Sequence, residues 1–164
     1  MSAPRHAATG SRIRVVAAAS ILLGCLAGCS ITTAAAHSDA ERELARNRQR
    51  WVSANIHDYE FDFRRSCFCV PESTEQVHIV VRNDIVISVL RSRDGQPAST
   101  ATDAWPRVNE LFEDVQRRIE QGAARLEVSY DPTYGYPRSI VADVILMAVD
   151  DEYSLTAENL RRLP

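Results

Sequence analysis

Two cysteines, Cys67 and Cys69, stand one residue apart in the segment RSCFCVPES, in a chain that contains four cysteines. Thiols at this spacing can form a disulfide, exchange disulfides with a partner, bind a metal, or remain reduced and buried. In an ideal strand, residues i and i+2 are about 6.5–7 Å apart, which is the upper limit for a disulfide. A disulfide therefore requires a bulge or a turn, and the Val70-Pro71 step that follows favours such a departure from the strand.

The other two cysteines, Cys25 and Cys29, fall in the N-terminal signal described below. If Cys25 is removed with that signal and Cys29 carries a lipid, Cys67 and Cys69 have only each other as partners. An exported protein also meets an oxidising environment. We therefore predict a Cys67–Cys69 disulfide, and we keep reduced buried thiols, a metal site and a redox-active pair as alternatives.

A metal site would need further ligands, because zinc normally takes four in a tetrahedral arrangement. The nearest histidine, His78, is predicted to lie across from Phe68, on the opposite face of the strand from both thiols. His57 lies ten residues before Cys67, too far along an extended strand. We predict no metal site and no cofactor. Because no base is legible beside the thiols, we also predict no catalytic residue.

The segment YDPTYGYP is the second group of residues that could act together. Asp131 can accept hydrogen bonds from nearby backbone amides, Pro132 fixes φ, and Gly135 can adopt a positive φ. The pattern predicts a rigid hairpin connection. The alternative is a tyrosine-rich contact surface for a partner, with Tyr130, Asp131, Tyr134 and Tyr136 as its candidate residues.

The N-terminal 28 residues have the features of a secretory signal. Arginines and no acidic residue accompany the apolar run IRVVAAASILLGCLAG, which ends in Leu26-Ala27-Gly28-Cys29. This ending resembles the lipobox of bacterial lipoproteins, in which the cysteine becomes the first mature residue and carries the lipid. The overlapping LLGC that ends at Cys25 is a weaker candidate, and a plain cleaved signal is the alternative. We therefore predict lipidation at Cys29.

The signal also predicts the location of the protein. A lipoprotein carries two or three acyl chains, which hold a protein firmly to a membrane. Ser30 follows Cys29, and a residue other than aspartate there favours the outer membrane, facing the periplasm, in a host with two membranes. In a host with one membrane, the expected place is the outer face of the cell membrane. The predicted parts of the chain are a signal peptide over residues 1–28, a lipidated tether over 29–38 and a single domain over 39–164.

Composition limits the function further. The 164 residues carry a net charge of −3, and all 19 basic residues are arginine. Without the signal peptide, 22 acidic residues face 16 arginines, so nucleic acid is not a predicted partner. The absence of lysine excludes lysine chemistry such as Schiff bases. The acidic residues near the C-terminus lack the pattern of a calcium loop and are predicted to form a solvated surface: Asp143, Asp150, Asp151 and Glu152.

Hydrophobic periodicity predicts seven elements in the order α-β-β-β-α-β-β. The clearest helix covers residues 103–121, with Asp103 as its cap and Gly122 as its end. The tail after residue 149 is polar, with a short helix as one option. The predicted class is α+β, an antiparallel sheet of about five strands with helices packed on one face. The other segments are a helix over 39–54 and strands over 58–69, 76–81, 85–90, 125–130 and 137–149.

The first strand bears on the cysteines, because its aromatic residues alternate with polar ones. Tyr59, Phe61 and Phe63 are predicted to share a buried face. If the strand runs unbroken through residue 69, Cys67 and Cys69 lie on that face too. Arg65 would also lie there, which indicates a register shift nearby, such as a bulge.

Several of these features occur together in one known group of proteins. The Tyr-x-Phe strand at Tyr59, the Cys67-Phe68-Cys69 triplet, the helix around ELFEDV, and the YDPTYGYP hairpin with its strand ending at Asp143 appear in this order. In this order they resemble a family of small secreted or lipid-anchored bacterial proteins of unknown function. The resemblance covers about residues 45–150. It implies the domain limits and export, and it implies no catalytic residue.

The predicted function is therefore a lipid-anchored envelope protein that is a non-enzymatic binding or accessory module. Its expected partners are the membrane, through the N-terminal lipid, and a protein or small ligand of the envelope. The alternative is a thiol-redox or metal-handling protein that acts through Cys67 and Cys69. A hydrolase built on paired carboxylates finds no support in the spacing of the acidic residues.

Overall fold

The computed structural model describes residues 28–145 and 151–164, and the side chains from Ser38 onward. In this part of the chain, two helices and six strands alternate with short turns. In chain order, the elements are α1 (Gly28–Ala54), β1 (Tyr59–Cys67), β2 (Val77–Arg82), β3 (Ile85–Arg91), α2 (Val108–Glu120), β4 (Arg125–Tyr130), β5 (Pro137–Asp143) and β6 (Tyr153–Arg162), with 3-10 turns at Pro71–Ser73 and Thr102–Ala104.

The strands form one antiparallel sheet in the order β3-β2-β1-β6-β5-β4. The predicted α+β class and antiparallel sheet are confirmed, but the sheet has six strands rather than about five. The extra strand is β6, so the prediction of a polar tail with a short helix was wrong. Leu155 and Ala157 of β6 are buried, whereas the alternating residues Ser154, Thr156 and Glu158 are polar. This alternation is that of a strand with one solvated face.

The core lies between the helices and one face of the sheet, which we call the helix face. Tyr59, Phe61 and Phe63 are buried there, as predicted. From α1, Trp51 packs edge-on against Tyr59, with ring centroids 5.4 Å apart. From α2, the backbone N–H of Val108 donates a 3.1 Å hydrogen bond to the hydroxyl of Tyr59. The opposite side of the sheet, which we call the open face, carries polar and charged side chains on β1 and β6.

Helix α2 follows the predicted apolar spacing but begins later than predicted. Its N-cap is Arg107, whose backbone N–H donates to the Glu110 carboxylate at 2.8 Å, and Asp103 lies in a separate 3-10 turn. The helix ends as predicted, because Gly122 follows it with φ +64°. The apolar residues that recur at the helical spacing are all buried: Val108, Leu111, Phe112, Val115 and Ile119.

Helix α1 ends at Ala54, as predicted, but its backbone is already helical from Gly28. The segment TTAAA contributes to this, because alanine has the highest helix propensity. Leu44 and Trp51 face the core, whereas the neighbouring Val52 is exposed. Within residues 28–145 and 151–164, no helix is both long and apolar enough to cross a membrane.

Candidate functional site

The two cysteines lie at the point where β1 leaves the sheet. Strand β1 ends at Cys67, which pairs with Tyr153 of β6. The backbone N–H of Cys69 then donates to the carbonyl of Cys67 at 2.9 Å, which closes a tight turn at Phe68. The two sulfur atoms are 2.00 Å apart and the Cα atoms 5.3 Å apart, within the range of disulfide geometry. The turn therefore brings the two Cα atoms closer together than an ideal strand would, to a distance that suits a disulfide.

Because of this turn, the positions of the two thiols differ from the predicted ones. Because the strand stops at Cys67, the expectation that both thiols share the buried face was wrong: Cys67 is half-buried and Cys69 is exposed. Phe68 between them is 88% exposed. Arg65 does lie on the helix face, in regular register opposite Leu155. The register shift falls between Glu60 and Asp62 instead, opposite an extra residue of β6, where Asn159 has φ +55°.

A charged residue is tolerated on the helix face because Arg65 lies near the rim of the core. Its guanidinium is 6.0 Å from the ring centroid of Phe63, a cation–π arrangement. Among the residues that the structure describes, Arg65 forms no ion pair. It is therefore a cation without a counter-ion in the described region, close in the chain to the cysteine turn.

A buried polar network connects α2 to β6 beside the turn. The hydroxyl of Tyr153 donates to the carboxylate of Asp114 at 2.5 Å, and the Nε of Arg118 donates to the same hydroxyl at 2.7 Å. Arg117 binds the other carboxylate oxygen of Asp114 at 3.0 Å. Asp114 is only 8% exposed, so these donors offset the cost of its burial. Burial, together with the Asp114 hydrogen bond, raises the pKa of Tyr153 to about 12.

The turn and the network border one open cavity of about 430 Å³, which we call the disulfide cleft. The cysteine turn contributes Cys67, Phe68 and Cys69, the helix contributes Asp114 and Arg118, and the neighbouring strands contribute Arg65 and Tyr153. Asp151 and Glu152 also line the cleft. The cleft thus combines a sulfur pair, an exposed aromatic ring and charges of both signs.

Sequence reasoning found the cysteines of this cleft and missed its other half. Asp114 reads as one of many charged residues of an amphipathic helix, and Tyr153 as part of a polar tail. The two residues are 39 positions apart in the chain, and only the insertion of β6 beside β1 brings them together. The unbroken alternation of Tyr153, Leu155 and Ala157 was the available signal for this strand.

The tyrosine motif forms the β4–β5 connection and packs against α1. The Asp131 carboxylate accepts hydrogen bonds from the N–H groups of Thr133 (2.9 Å) and Tyr134 (2.6 Å). Gly135 has φ +80°, and a Cβ placed on it would lie 2.5 Å from the Asn47 carbonyl oxygen. The chain therefore needs glycine both for its backbone angle and for the close approach to α1.

The candidate contact residues in this motif differ in their accessibility. Tyr136 is 3% exposed and its ring is 6.4 Å from Trp51, so it belongs to the core rather than to a surface. Tyr130 and Tyr134 are half-buried, and burial raises the pKa of Tyr130. Asp131 is engaged in the turn. These positions fit the rigid hairpin connection, and a contact surface there would consist of Tyr130, Asp131 and Tyr134.

His57 and His78 lie away from the cleft, in carboxylate pairs. His57 Nδ1 is 2.6 Å from the Asp84 carboxylate. His78 pairs across the strands with Asp62, not with Phe68 as predicted, and its ring lies 2.9 Å from Asp62 and 3.3 Å from Glu60 on the open face. Across residues 38–145 and 151–164, no three His, Cys, Asp or Glu side chains cluster closely enough to hold a metal ion.

The structure describes three of the four acidic residues that we predict to form a solvated surface near the C-terminus. Asp150 lies outside the described residues. The Asp151 carboxylate accepts a 2.7 Å hydrogen bond from the backbone N–H of Ile145, which fixes the two ends of the β5–β6 connection. Asp143 lies at the end of β5, opposite Arg125 of β4. Of the four, Asp151 and Glu152 border the disulfide cleft.

Comparison with known proteins identifies one match, to a protein-family model. Neither the curated proteins nor the solved structures contain a match to this chain. A family model described as "Family of unknown function (DUF6174)" matches residues 43–162, which include every strand, α2 and the cysteine turn. Because the match covers most of the chain, the protein belongs to the DUF6174 family.

Proposed function

We propose that this protein is exported, is anchored to the cell envelope by a lipid on Cys29, and binds another envelope protein through the disulfide cleft. The lipobox-like ending Leu26-Ala27-Gly28-Cys29 and the arginine-flanked apolar run before it support the anchor. The family match begins at residue 43, which leaves residues 1–42 outside the matched domain. In this proposal, residues 29–38 separate the domain from the membrane.

The exposed ring of Phe68 is the observation that carries the binding role. Phe68 is 88% exposed and Val70 is 64% exposed, on either side of Cys69. Burying a phenylalanine or valine side chain against a partner gains about 1.5–3 kcal/mol each. Aromatic side chains, phenylalanine among them, are enriched in protein interfaces.

The cleft beside Phe68 defines the kind of partner. Arg65 has no counter-ion among the described residues, and Arg118 is occupied by Tyr153 and Asp114. A protein segment that places an apolar side chain against Phe68 and a carboxylate near Arg65 would satisfy both. The described lining of the cleft holds no Ser, Thr or His, and the Tyr153 hydroxyl is held between Asp114 and Arg118 with its pKa raised to about 12, which favours binding over hydrolysis.

The anchor is tested by the intact mass of the protein purified from the membranes of its host. We expect a chain that begins at Cys29 and carries two or three acyl chains. Cys29→Ser should leave the membrane fraction, and the matched variant Cys25→Ser should remain in it. An unmodified mature chain, or loss of the anchor in Cys25→Ser alone, would overturn the assignment of Cys29.

The binding role is tested by photo-crosslinking in intact cells. A photoreactive phenylalanine analogue at position 68 should capture a protein that the same analogue at Val52, on the exposed side of α1, does not capture. The captured protein, once purified, should bind Phe68→Ser at least about tenfold more weakly, which corresponds to about 1.4 kcal/mol. Equal capture at both positions, or equal affinity for Phe68→Ser, would contradict the proposal.

A further inference from the structure

We propose that Cys67 and Cys69 form a thiol–disulfide exchange centre, which transfers its disulfide to a dithiol of another protein. The centre uses the disulfide cleft, but it requires neither the lipid on Cys29 nor a stable complex at Phe68. Its chemistry can therefore be tested separately from the proposed binding role.

The bond between Cys67 and Cys69 has a small structural role. The two cysteines are two residues apart, so the bond closes a very short ring. A disulfide stabilises a fold mainly by restricting the unfolded chain, and this effect shrinks as the loop becomes shorter. Cys69 lies beyond the last residue of β1 and pairs with no other strand. The fold can therefore tolerate a change between the disulfide and the dithiol.

The two cysteines differ in their exposure to solvent, and therefore in how easily a thiolate reaches them. Cys69 is exposed, and Cys67 is half-buried at the end of β1. An incoming thiolate therefore reaches Cys69, and Cys67 is the leaving group. The exposed ring of Phe68 stands between them and offers an apolar contact to the protein that carries the thiolate.

Two arginines lie around the leaving group, the Cys67 sulfur. Cys67 lines the cleft together with Arg65 and Arg118, and a neighbouring guanidinium stabilises a thiolate. Arg118 is engaged by Tyr153 and Asp114, so Arg65 is the cation that remains available.

The acidic groups of the cleft oppose this effect, but each has a partner or a nearby cation. Asp114 is paired with Arg117 and Arg118. Asp151 accepts a hydrogen bond from the N–H of Ile145. Glu152 interacts electrostatically with Arg125 of β4. Tyr153, the remaining titratable group, is neutral in the physiological range, because its pKa lies near 12.

The exchange balances as follows. A thiolate of the partner attacks the Cys69 sulfur, the Cys67–Cys69 bond breaks, and its electron pair leaves on the Cys67 sulfur. The partner's second thiolate then attacks the partner's first sulfur, which is bonded to Cys69 in the mixed disulfide, and Cys69 leaves as a thiolate. The partner loses two electrons and two thiol protons and gains a disulfide. Cys67 and Cys69 gain the two electrons. Solvent then protonates each new thiolate to the extent that its pKa dictates.

The test measures the reduction of the purified full-length protein by dithiothreitol at neutral pH, with alkylation and mass spectrometry as the readout. Arg65→Gln should slow reduction about tenfold, whereas Arg65→Lys should keep most of the rate, because the charge is retained. The matched control is Arg64→Gln. Arg64 is the neighbouring arginine and lines cavities on the other side of the sheet, so its loss should leave the rate unchanged.

A pH profile separates this role from a structural one. In the reduced protein, Arg65→Gln should move the midpoint of Cys67 alkylation upward by about one pH unit, the equivalent of a tenfold change in thiolate. A loss of packing alone would lower stability without moving this midpoint. Equal rates and midpoints in wild type, Arg65→Gln and Arg64→Gln would overturn the proposal, as would a disulfide that dithiothreitol reduces only after denaturation.

Trapping identifies the attacked sulfur. In Cys67→Ser, Cys69 should form a stable mixed disulfide with oxidised glutathione, and in Cys69→Ser the half-buried Cys67 should react about tenfold more slowly. Equal reactivity of the two variants would contradict the assignment of Cys69 as the entry point. Because both probes are small molecules, failure here leaves the crosslinking result at Phe68 unaffected.

Discussion

The hydroxyl of Tyr153 lies 2.5 Å from the carboxylate of Asp114, and this hydrogen bond links the last strand of the sheet to helix α2. The same hydroxyl accepts a hydrogen bond from Arg118, whose guanidinium lies 5.0 Å from the Tyr153 ring centroid. One tyrosine thus joins a carboxylate and a guanidinium at the wall of the disulfide cleft. The hydrogen bond between Tyr153 and Asp114 fixes where β6 begins, and therefore where Cys67, the partner of Tyr153 in the sheet, is held.

Removing this hydroxyl should destabilise the fold. Tyr153→Phe deprives the buried Asp114 of a donor and Arg118 of an acceptor, and we expect a loss of about 1–3 kcal/mol in the free energy of unfolding. Urea denaturation measures it. Tyr134→Phe is the matched control, because the Tyr134 hydroxyl has no hydrogen bond among the described residues, and it should change stability by at most about 0.5 kcal/mol. Equal losses in the two variants would show that the Asp114 contact contributes nothing.

The same tyrosine predicts a loss of stability at alkaline pH. Burial and the Asp114 hydrogen bond raise the pKa of Tyr153 from 10.0 to about 12. A pKa that is higher in the folded state means that the contribution of this group is complete below pH 10 and is lost as the pH rises through 12. Unfolding free energies measured between pH 9 and 12 should therefore fall less steeply in Tyr153→Phe than in the wild type. Parallel slopes would contradict the assignment of the shift to Tyr153.

Gly135 provides a test of how the tyrosine hairpin docks on α1. Gly135→Ala combines a left-handed backbone angle with a Cβ that would lie 2.5 Å from the Asn47 carbonyl oxygen. Gly95→Ala is the matched control, because Gly95 has φ +68° and open space around it. We expect about 1 kcal/mol of destabilisation for Gly95→Ala and a clearly larger loss for Gly135→Ala in thermal or urea unfolding. Equal losses would mean that α1 moves away without cost.

The elements that could be predicted from the sequence are those with a clear local period. The alternation of Tyr59, Phe61 and Phe63 gave β1, and the 3.6-residue spacing gave α2. The start of α2 depended on finer chemistry: the capping role of Arg107 is unusual for its residue type, and Asp103 was the conventional choice. The periodicity of an element was therefore more informative than its boundary.

The candidate site was harder to predict, because half of it depends on contacts between distant residues. The pairing of Cys67 with Cys69 is local, and the need for a turn followed from strand geometry. The Asp114–Tyr153 contact requires β6 to enter the sheet between β1 and β5. The polar residues of β6 masked its alternation, so composition favoured a tail over a strand. Sequence reasoning therefore identified the sulfur pair but not the charged wall beside it.

The Cys67–Cys69 bond should contribute little to the stability of the fold, in contrast to its proposed chemistry. In the chain-entropy account, closing a loop of about 15 residues is worth about 3 kcal/mol, and shorter loops are worth less. The double variant Cys67→Ser/Cys69→Ser should therefore lose at most about 2 kcal/mol in urea unfolding, and its unfolding should not respond to reductant. The wild type in reductant should match the variant. A larger loss would mean that the bond holds the end of β1 in place, and a pair needed for folding could not exchange freely with a partner's thiols.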